Sequence, residues 1–437
     1  MKEKVLILGL SKSGISAAKE VNKRGGDAWI TESKEPKEEY LKELEELKQQ
    51  GIHIETGGHT DAFIKEADYA ITSPGIPPKS EIFQKLKEMN IPIISEIEYA
   101  YRNTDIPFIV ITGTNGKTTT TALVSHILSK KYSAPVCGNI GVPPTSLIGN
   151  NEKYDFLVCE VSSFQAEMTE NFRAKIACWT NFTPDHIDWH GGLENYFNAK
   201  AKLFLGSQAP EYAILNAKDS KLAEFAKECK NVVMFDDDKD CYIKDEAIYF
   251  KNEKIITLND CPLIGHHNYQ NIMCGISIAK LLGMENGDIR EQIMSFTPPE
   301  HRLEKIREWK GITFYNDSKA TNPEASIVAI DSFSNVDVAL ILGGRDKNTD
   351  LTEMCKSVNE HIKTVLLIGE ATQRFEENLI KNGFSNIIKE RSMESAIDKA
   401  ISLKPDVVLL SPACASFDMF KSYEHRGDVF REYVLSK

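Results

Sequence analysis

The stretch FIVITGTNGKTTTT, residues Phe108–Thr121, carries more structural information than any other in the chain. An apolar run suited to a buried strand ends at Thr112. Gly113 and Gly116 free the backbone to curl, and Lys117 leads a threonine run that opens a helix. This order aims backbone N–H groups and a helix N-terminus at one anion, adds an ammonium, and leaves Thr118 to hold Mg²⁺. The full phosphate-loop pattern G-x-x-x-x-G-K-[ST] is not met, because Ile111 occupies its first glycine position. Strand before, helix after and G-K-T between them still favour a site for ATP or GTP over a plain glycine turn with a surface lysine.

A nucleotide-cleaving site needs a carboxylate near that loop. Asp155-Phe156-Leu157-Val158-Cys159-Glu160 reads as an apolar strand ending in an acid. Ligands gather at the carboxyl ends of parallel strands, so Glu160 is expected beside the loop, though a solvated strand-end acid reads equally well from this residue alone. Thr183–Asp188 and Tyr196–Lys200 read as loop and helix entry, with His186 and Lys200 as polar groups of unassigned role.

Further out, short apolar runs alternate with amphipathic helical stretches, the pattern of parallel sheets covered by helices. Val5–Leu8 and Ala28–Thr31 read as strands flanking a Gly9–Gly14 turn and a helix through about Lys23. The turn lacks the second glycine of a dinucleotide fingerprint, Ser11 standing there, which disfavours NAD. Glu38–Gln50 reads as a solvated helix with Leu41, Leu44 and Leu47 as its apolar stripe. Boundaries are expected near Glu96–Asp105 and Phe296–Glu300, the second because Pro298-Pro299 cannot continue a helix. Strands are expected at Ile312–Tyr315, Val338–Leu342, Thr364–Ile368 and Val407–Leu410. The sum is an α/β chain of three domains, 1–98, 99–298 and 299–437, all of nucleotide-fold type.

Composition narrows the function. The 437 residues carry 52 Lys plus Arg against 64 Asp plus Glu, a net charge of −12, which argues against general nucleic-acid binding. Any phosphate must therefore be gripped by a few aimed donors. No apolar run approaches the roughly 18 residues needed to span a bilayer. Met1–Val5 opens no secretory signal. Nine cysteines without a C-x-x-C pair suggest neither a disulfide framework nor a zinc ribbon, so a reduced, cytoplasmic chain is expected. Cys414 has no histidine near it in sequence and reads as a packed thiol.

Taken in order, these motifs resemble the Mur ligase superfamily of ATP-dependent amide-bond-forming enzymes of peptidoglycan assembly. The shortened loop Gly113–Thr118, Glu160 in EVSSFQ, His186 in D-H-x-D and Lys200 in Y-x-x-A-K all fit, as do His267–Asn271, His301-Arg302 and Asn316–Asn322. NDSKATN (316–322), LGGRDK (342–347), SPACASFDMFKSYEHRG (411–427) and Gly138–Gly141 are similar to the branch that adds D-glutamate. The resemblance implies a Rossmann-like N-terminal domain, a central P-loop mononucleotide-binding domain and a Rossmann-like C-terminal domain. It implies ligation of D-glutamate to UDP-N-acetylmuramoyl-L-alanine through an acyl phosphate, by a cytoplasmic monomer.

It also implies roles for residues. Gly113, Thr114, Asn115, Gly116, Lys117, Thr118 and Thr119 would hold the ATP phosphates, with Asn271, Arg302 and Asp317 on adenine and ribose. Thr118 and Glu160 would serve one Mg²⁺; His186 and Lys200 would serve a second. Lys200 can ligate only as a CO₂-derived carbamate, since an ammonium cannot; neighbouring Lys202 competes by sequence alone. Lys117, His186 and carbamylated Lys200 would be catalytic. Ser11, Glu32, Ser33, Gly75 and Asn139 would hold the UDP substrate, and Thr321, Lys347, Ser416 and Tyr423 the D-glutamate.

Three other readings compete. A folate-type glutamate ligase is expected to lack the 316–322 and 411–427 stretches. A slow P-loop switch would not need residues of a distant third domain. A Rossmann oxidoreductase rests on the N-terminal turn alone.

Overall fold

The structure is a computed structural model, and it describes residues 2–36, 41–149, 153–263, 265–298, 300–333, 336–346 and 349–437. Lys347, Pro299 and positions 38–40 of the expected charged helix lie outside the described residues. Three sheets organise the chain, and contacts divide it into two compact units: residues 1–261 with 270–296, and residues 262–269 with 297–437.

The first unit holds two of the sheets. One is an all-parallel five-stranded sheet in the order His53–Glu55, Asp27–Thr31, Lys4–Leu8, Tyr69–Thr72, Ile93–Ser95. The helix Lys12–Lys23 follows its central strand, capped by Ser11 accepting from Gly14 N–H. The charged helix spans Leu41–Gln49, but only Leu44 and Leu47 of the expected stripe are buried. Leu41, at its first position, is exposed.

The other sheet has nine strands, in the order Glu253–Thr257, Ala247–Phe250, Cys241–Lys244, Val232–Phe235, Tyr212–Asn216, Ile176–Trp179, Phe108–Thr112, Leu157–Glu160, Val136–Gly138. Its parallel part ends in an antiparallel hairpin edge formed by the first three. Phe108–Thr112 is wholly buried in the middle, which is why it reads as an unbroken apolar run. An aromatic cluster of Trp179, Phe197, Phe204 and Phe225 fills one face.

The two sheets are locked together by polar bonds. The helix Glu96–Arg102 buries its acids: Glu96 accepts from Thr145 N–H at 2.7 Å, and Glu98 accepts from the N–H groups of Glu170, Asn171 and Phe172. Ser95 N–H donates to Met168 O at 2.8 Å.

The second unit carries the six-stranded sheet Glu304–Trp309, Ile312–Asn316, Val407–Leu410, Val338–Gly343, Thr364–Ile368, Ile387–Lys389. The four strands expected from sequence are its core. Glu304–Trp309, antiparallel at one edge, and Ile387–Lys389 at the other were not expected. Among the described residues no helix is long and apolar enough to cross a membrane.

Candidate functional site

The loop 113–116 is shaped by two glycines and pinned by the neighbouring strand end. Gly113 has φ +148° and Gly116 φ +79°. A Cβ on Gly113 would collide with Thr180 Oγ1, and one on Gly116 would lie 2.6 Å from Asn271 Oδ1. Thr180 Oγ1 donates to Asn115 O at 2.6 Å, and Asn181 brackets the same residue, accepting from its N–H at 2.8 Å and donating to its carbonyl at 3.1 Å. Thr114 Oγ1 bonds Thr183 O and the Tyr196 hydroxyl, each at 3.1 Å. The helix Lys117–Leu128 starts directly behind, with no acid in its first turn, so its positive end faces the loop undiluted. Asn271 Oδ1 accepts from Thr120 Oγ1 at 3.0 Å, tying that residue to the same helix.

Two lysines meet at this loop. Lys117 Nζ donates to Gly113 O at 3.0 Å and Thr114 O at 2.7 Å. Lys200, only 1% exposed, donates to the same Gly113 carbonyl at 2.9 Å and lies 5.0 Å from the centre of the Tyr196 ring. Burial, and then the Lys117 charge, push the Lys200 amine well below its ordinary range; Asp185 and Glu160 pull weakly the other way. Lys202 instead donates to Glu167 O at 3.0 Å.

Pairing of Ile111 with Glu160 brings that carboxylate to the loop. Asn139 Nδ2 donates to Glu160 Oε1 at 2.8 Å, while Oε2 is buried with no hydrogen-bond partner among the described residues. A buried carboxylate oxygen without a hydrogen-bond partner suits a hard cation such as Mg²⁺, and Thr118 lies buried in the first turn of the helix that follows the loop. His186 caps the one-turn helix Ile187–His190 with φ +51° and packs edge-on against Phe164 at 4.8 Å. Among the described residues no group of three or more His, Cys, Asp or Glu is placed to hold a metal.

On the five-stranded sheet a cleft of about 590 Å³ opens beside the glycine turn, lined in part by Gly9, Glu32, Ser33, His59 and Gly75. Glu32 accepts from the N–H groups of Leu10 and Lys34 and from Ser33 Oγ, all at 3.1 Å. Burial acts to raise its carboxyl, but these bonds prevail and hold it below the usual carboxylate range. Ser11 Oγ bonds Ser73 Oγ at 2.7 Å, so it secures the turn to the Ser73–Pro77 loop. Asn139 is held against Glu160 in the phosphate-loop cluster.

In the second unit, three loops converge at the carboxyl ends of adjacent parallel strands. Asp317 is buried and accepts from Ser411 Oγ at 2.7 Å and Leu303 N–H at 3.1 Å; burial pushes its carboxyl up to about 7. Arg302 lies close enough to oppose that rise. Thr321 precedes Asn322, whose side chain caps the helix Pro323–Ile330. Ser416 is buried and its carbonyl accepts from Phe420 N–H at 2.9 Å. Tyr423 opens the helix Tyr423–Leu435, and its carbonyl accepts from Ser318 Oγ at 2.8 Å. Cys414 is buried and its thiol is pushed up to about 12 by burial, so no thiolate is at hand.

Sequence reasoning passed over Thr180, Asn181 and Arg426. The first two follow the buried strand Ile176–Trp179, and polar residues at a parallel strand's carboxyl end beside a phosphate loop are the signal that could have found them.

Three family descriptions match the chain in series. They are the Mur ligase MurD-like N-terminal domain over residues 3–95, the Mur ligase middle domain over 111–279, and the Mur ligase glutamate ligase domain over 301–414. A protein of Caldanaerobacter subterraneus subsp. tengcongensis named UDP-N-acetylmuramoylalanine–D-glutamate ligase is 38% identical, the match covering 100% of this chain and 99% of that protein. One of Koribacter versatilis with the same name is 38% identical over 99% of this chain and 97% of its own. In fold, the chain is similar to the crystal structure of UDP-N-acetylmuramate–alanine ligase from Thermotoga maritima, with a TM-score of 0.63, 20% identity, and coverage of 99% of this chain and 100% of that one.

Proposed function

The chain belongs to the Mur ligase family, and from that membership we propose that it joins D-glutamate to UDP-N-acetylmuramoyl-L-alanine, converting ATP to ADP and phosphate, in peptidoglycan precursor synthesis. The observation that carries this reading is end-to-end identity of 38% with proteins named for that reaction. The domains are 1–98 for the UDP substrate, 99–298 for ATP and 299–437 for the amino acid. The chain works as a cytoplasmic monomer.

The γ-phosphoryl of ATP passes to the substrate's L-alanyl carboxylate; the bond to the β-phosphate breaks, an acyl phosphate forms and ADP leaves. The D-glutamate amine then attacks the acyl carbon. The tetrahedral adduct collapses, phosphate departs with the electron pair of the C–O bond, and the amine's proton passes to solvent. Such transfer depends on positioning and charge neutralisation. Residues 113–119 present backbone N–H groups to the phosphates, and Lys117 swings from the Gly113 and Thr114 carbonyls onto them. Asn271, Arg302 and Asp317 hold adenine and ribose. Thr118 and Glu160 hold one Mg²⁺, and His186 with carbamylated Lys200 a second; bound there, the ions neutralise phosphate charge. Support for Lys200 over Lys202 lies in its burial at Gly113 O and the depressed amine, since only a neutral amine reacts with CO₂. Ser11, Glu32, Ser33, Gly75 and Asn139 bind the UDP substrate, and Thr321, Lys347, Ser416 and Tyr423 the D-glutamate.

The test is phosphate release from ATP, Mg²⁺ and UDP-N-acetylmuramoyl-L-alanine with D-glutamate, L-glutamate or lysine. Turnover with D-glutamate alone is expected; indifference to the amino acid overturns the reading.

A further inference from the structure

Among the described residues of the second unit, Arg426 is the most heavily buried cation. It lies in the first turn of the helix Tyr423–Leu435, yet its side chain is 0% exposed. Its Nε donates to Ser318 Oγ at 2.9 Å and its Nη2 to Ser318 O at 2.8 Å. Its Nη1 donates to Cys414 O at 3.0 Å and Ala415 O at 3.4 Å. A Cβ added to Gly344 would lie 3.1 Å from the same Nη1, so the backbone of a third loop closes over the guanidinium. Ser318 Oγ in turn donates to Tyr423 O. One side chain thus sets the spacing of 316–322, 343–345 and 411–423.

All of these acceptors are neutral. Among the described residues no carboxylate lies within 4 Å of the guanidinium; Asp418 and Asp317 act only from farther away. Burial lowers it to about 10, and Cys414 and then those acids only partly restore it, so it stays charged at neutral pH with no carboxylate paired to it among the described residues. A buried cation without a counter-charge is costly, and tying loops together needs only neutral donors. The charge therefore has a use beyond the fold. The carbonyls of Cys414 and Ala415 belong to the peptides whose N–H groups are those of Ala415 and Ser416. A charged donor on a peptide carbonyl strengthens the N–H of the same peptide.

We propose that Arg426 is a specificity-determining, positioning residue that, through the peptides 414–416, presents buried positive charge to the incoming amino acid and favours an acidic one. This rests on the reading that these loops receive D-glutamate. Its side-chain carboxylate would then supply the counter-charge to Arg426 across those peptides.

The test compares R426Q, R426K and S318A by steady-state kinetics and thermal unfolding of the full chain. R426Q is expected to raise KM for D-glutamate about tenfold or more, with kcat within about threefold and KM for ATP unchanged. R426K, which keeps the charge but not the fork, is expected to recover most of that loss. S318A, which removes the two bonds of the Ser318 hydroxyl, to Arg426 Nε and to Tyr423 O, and no charge, is expected to leave KM within about twofold. A Lys variant as impaired as the Gln variant, an equal loss in S318A, or an unchanged KM in R426Q overturns the proposal. If R426Q and R426K do not fold, S318A still decides, since a large KM rise there assigns the effect to loop geometry. Absence of D-glutamate turnover in the unmutated enzyme would instead sink the underlying reading.

Discussion

Replacing Lys200 with methionine separates a catalytic lysine from a structural one. In the unmodified chain the Lys200 side chain is fully enclosed, and among the described residues no carboxylate lies within ion-pair distance. Besides a long bond to Thr112 Oγ1 at 3.4 Å, two closer contacts favour the ammonium. The bond to Gly113 O at 2.9 Å is worth about 1.5–3 kcal/mol, and the Tyr196 ring at 5.0 Å contributes roughly 1 kcal/mol. Against them stand a desolvation cost of several kcal/mol for a buried ion and the repulsion of Lys117. Methionine fills nearly the same volume. It also does not orphan the carbonyl, because Lys117 still donates to Gly113 O at 3.0 Å. Lys200→Met is therefore expected to be as stable as the parent, or more stable by about 1–3 kcal/mol. Turnover should fall about a hundredfold or more.

The assay is hydrogen exchange of the Phe108–Thr112 amides in urea, which reports this sheet rather than the whole chain, alongside phosphate release. Because the folded amine is depressed below 10.5, the unfolded chain binds more protons between the two values. The parent therefore gains stability as pH rises through that window, and its deficit against Lys200→Met should shrink from pH 7 to pH 9.5. Loss of more than about 2 kcal/mol in Lys200→Met would mark the lysine as structural and refute the reasoning. So would Lys200→Ala being equally active with and without added bicarbonate or short carboxylic acids.

Other expectations follow from single contacts. Burial pushes Glu96 up to about 7 from an ordinary 4.5, so its contribution to stability is full below pH 4.5 and is lost as pH rises through 7. Glu96→Gln should remove a pH-dependent loss of about 3 kcal/mol, read from urea midpoints at pH 5 and pH 8. Gly116→Ala meets a φ of +79° and the Asn271 amide, and should cost about 1–3 kcal/mol in thermal unfolding and raise KM for ATP; an unchanged KM would remove this turn from the nucleotide site. Lys117→Ala should nearly abolish phosphate release while the chain still folds, as circular dichroism can check. Lys347→Ala should chiefly raise KM for D-glutamate, and an unaltered KM would take Lys347 out of the pocket.

Strands were legible wherever both faces are buried, because a wholly apolar run such as Phe108–Ile111 or Val338–Leu342 has few other uses in a chain of this composition. Glu304–Trp309 was missed for the opposite reason. Four of its six residues are charged, in the adjacent pairs Glu304-Lys305 and Arg307-Glu308, and a register shift between Lys305 and Arg307 interrupts the pairing at this antiparallel edge. The polar stretch after Ser95 read as a boundary, yet it forms a helix whose two acids are buried, since Thr145 N–H and the N–H groups of 170–172 take up their charge. Composition cannot reveal such distant partners. The phosphate loop was legible from its glycines and lysine, but Thr180 and Asn181, which hold it in shape, lie some sixty-five residues away in sequence. Arg426 was hidden likewise: a helical arginine reads as solvated until its carbonyl partners are in place.

The shared carbonyl of Gly113 ties these points together. Two ammonium groups on one oxygen repel each other, and the buried one has less solvent to screen it. Burial and the Lys117 charge both push Lys200 toward its neutral amine beside the phosphate loop. On the proposed reading, addition of CO₂ to that amine, with loss of a proton, would replace a suppressed cation with an anion. The repulsion from Lys117 would become attraction, and the carbamate would supply a hard oxygen of the kind Mg²⁺ prefers. Lys202 is instead turned to Glu167 O, away from the Gly113 carbonyl that Lys117 and Lys200 share. The spacing Y-x-x-A-K therefore does more than place a lysine. It places one whose amine is depressed by burial and then by Lys117, beside a Tyr196 ring anchored to Thr114.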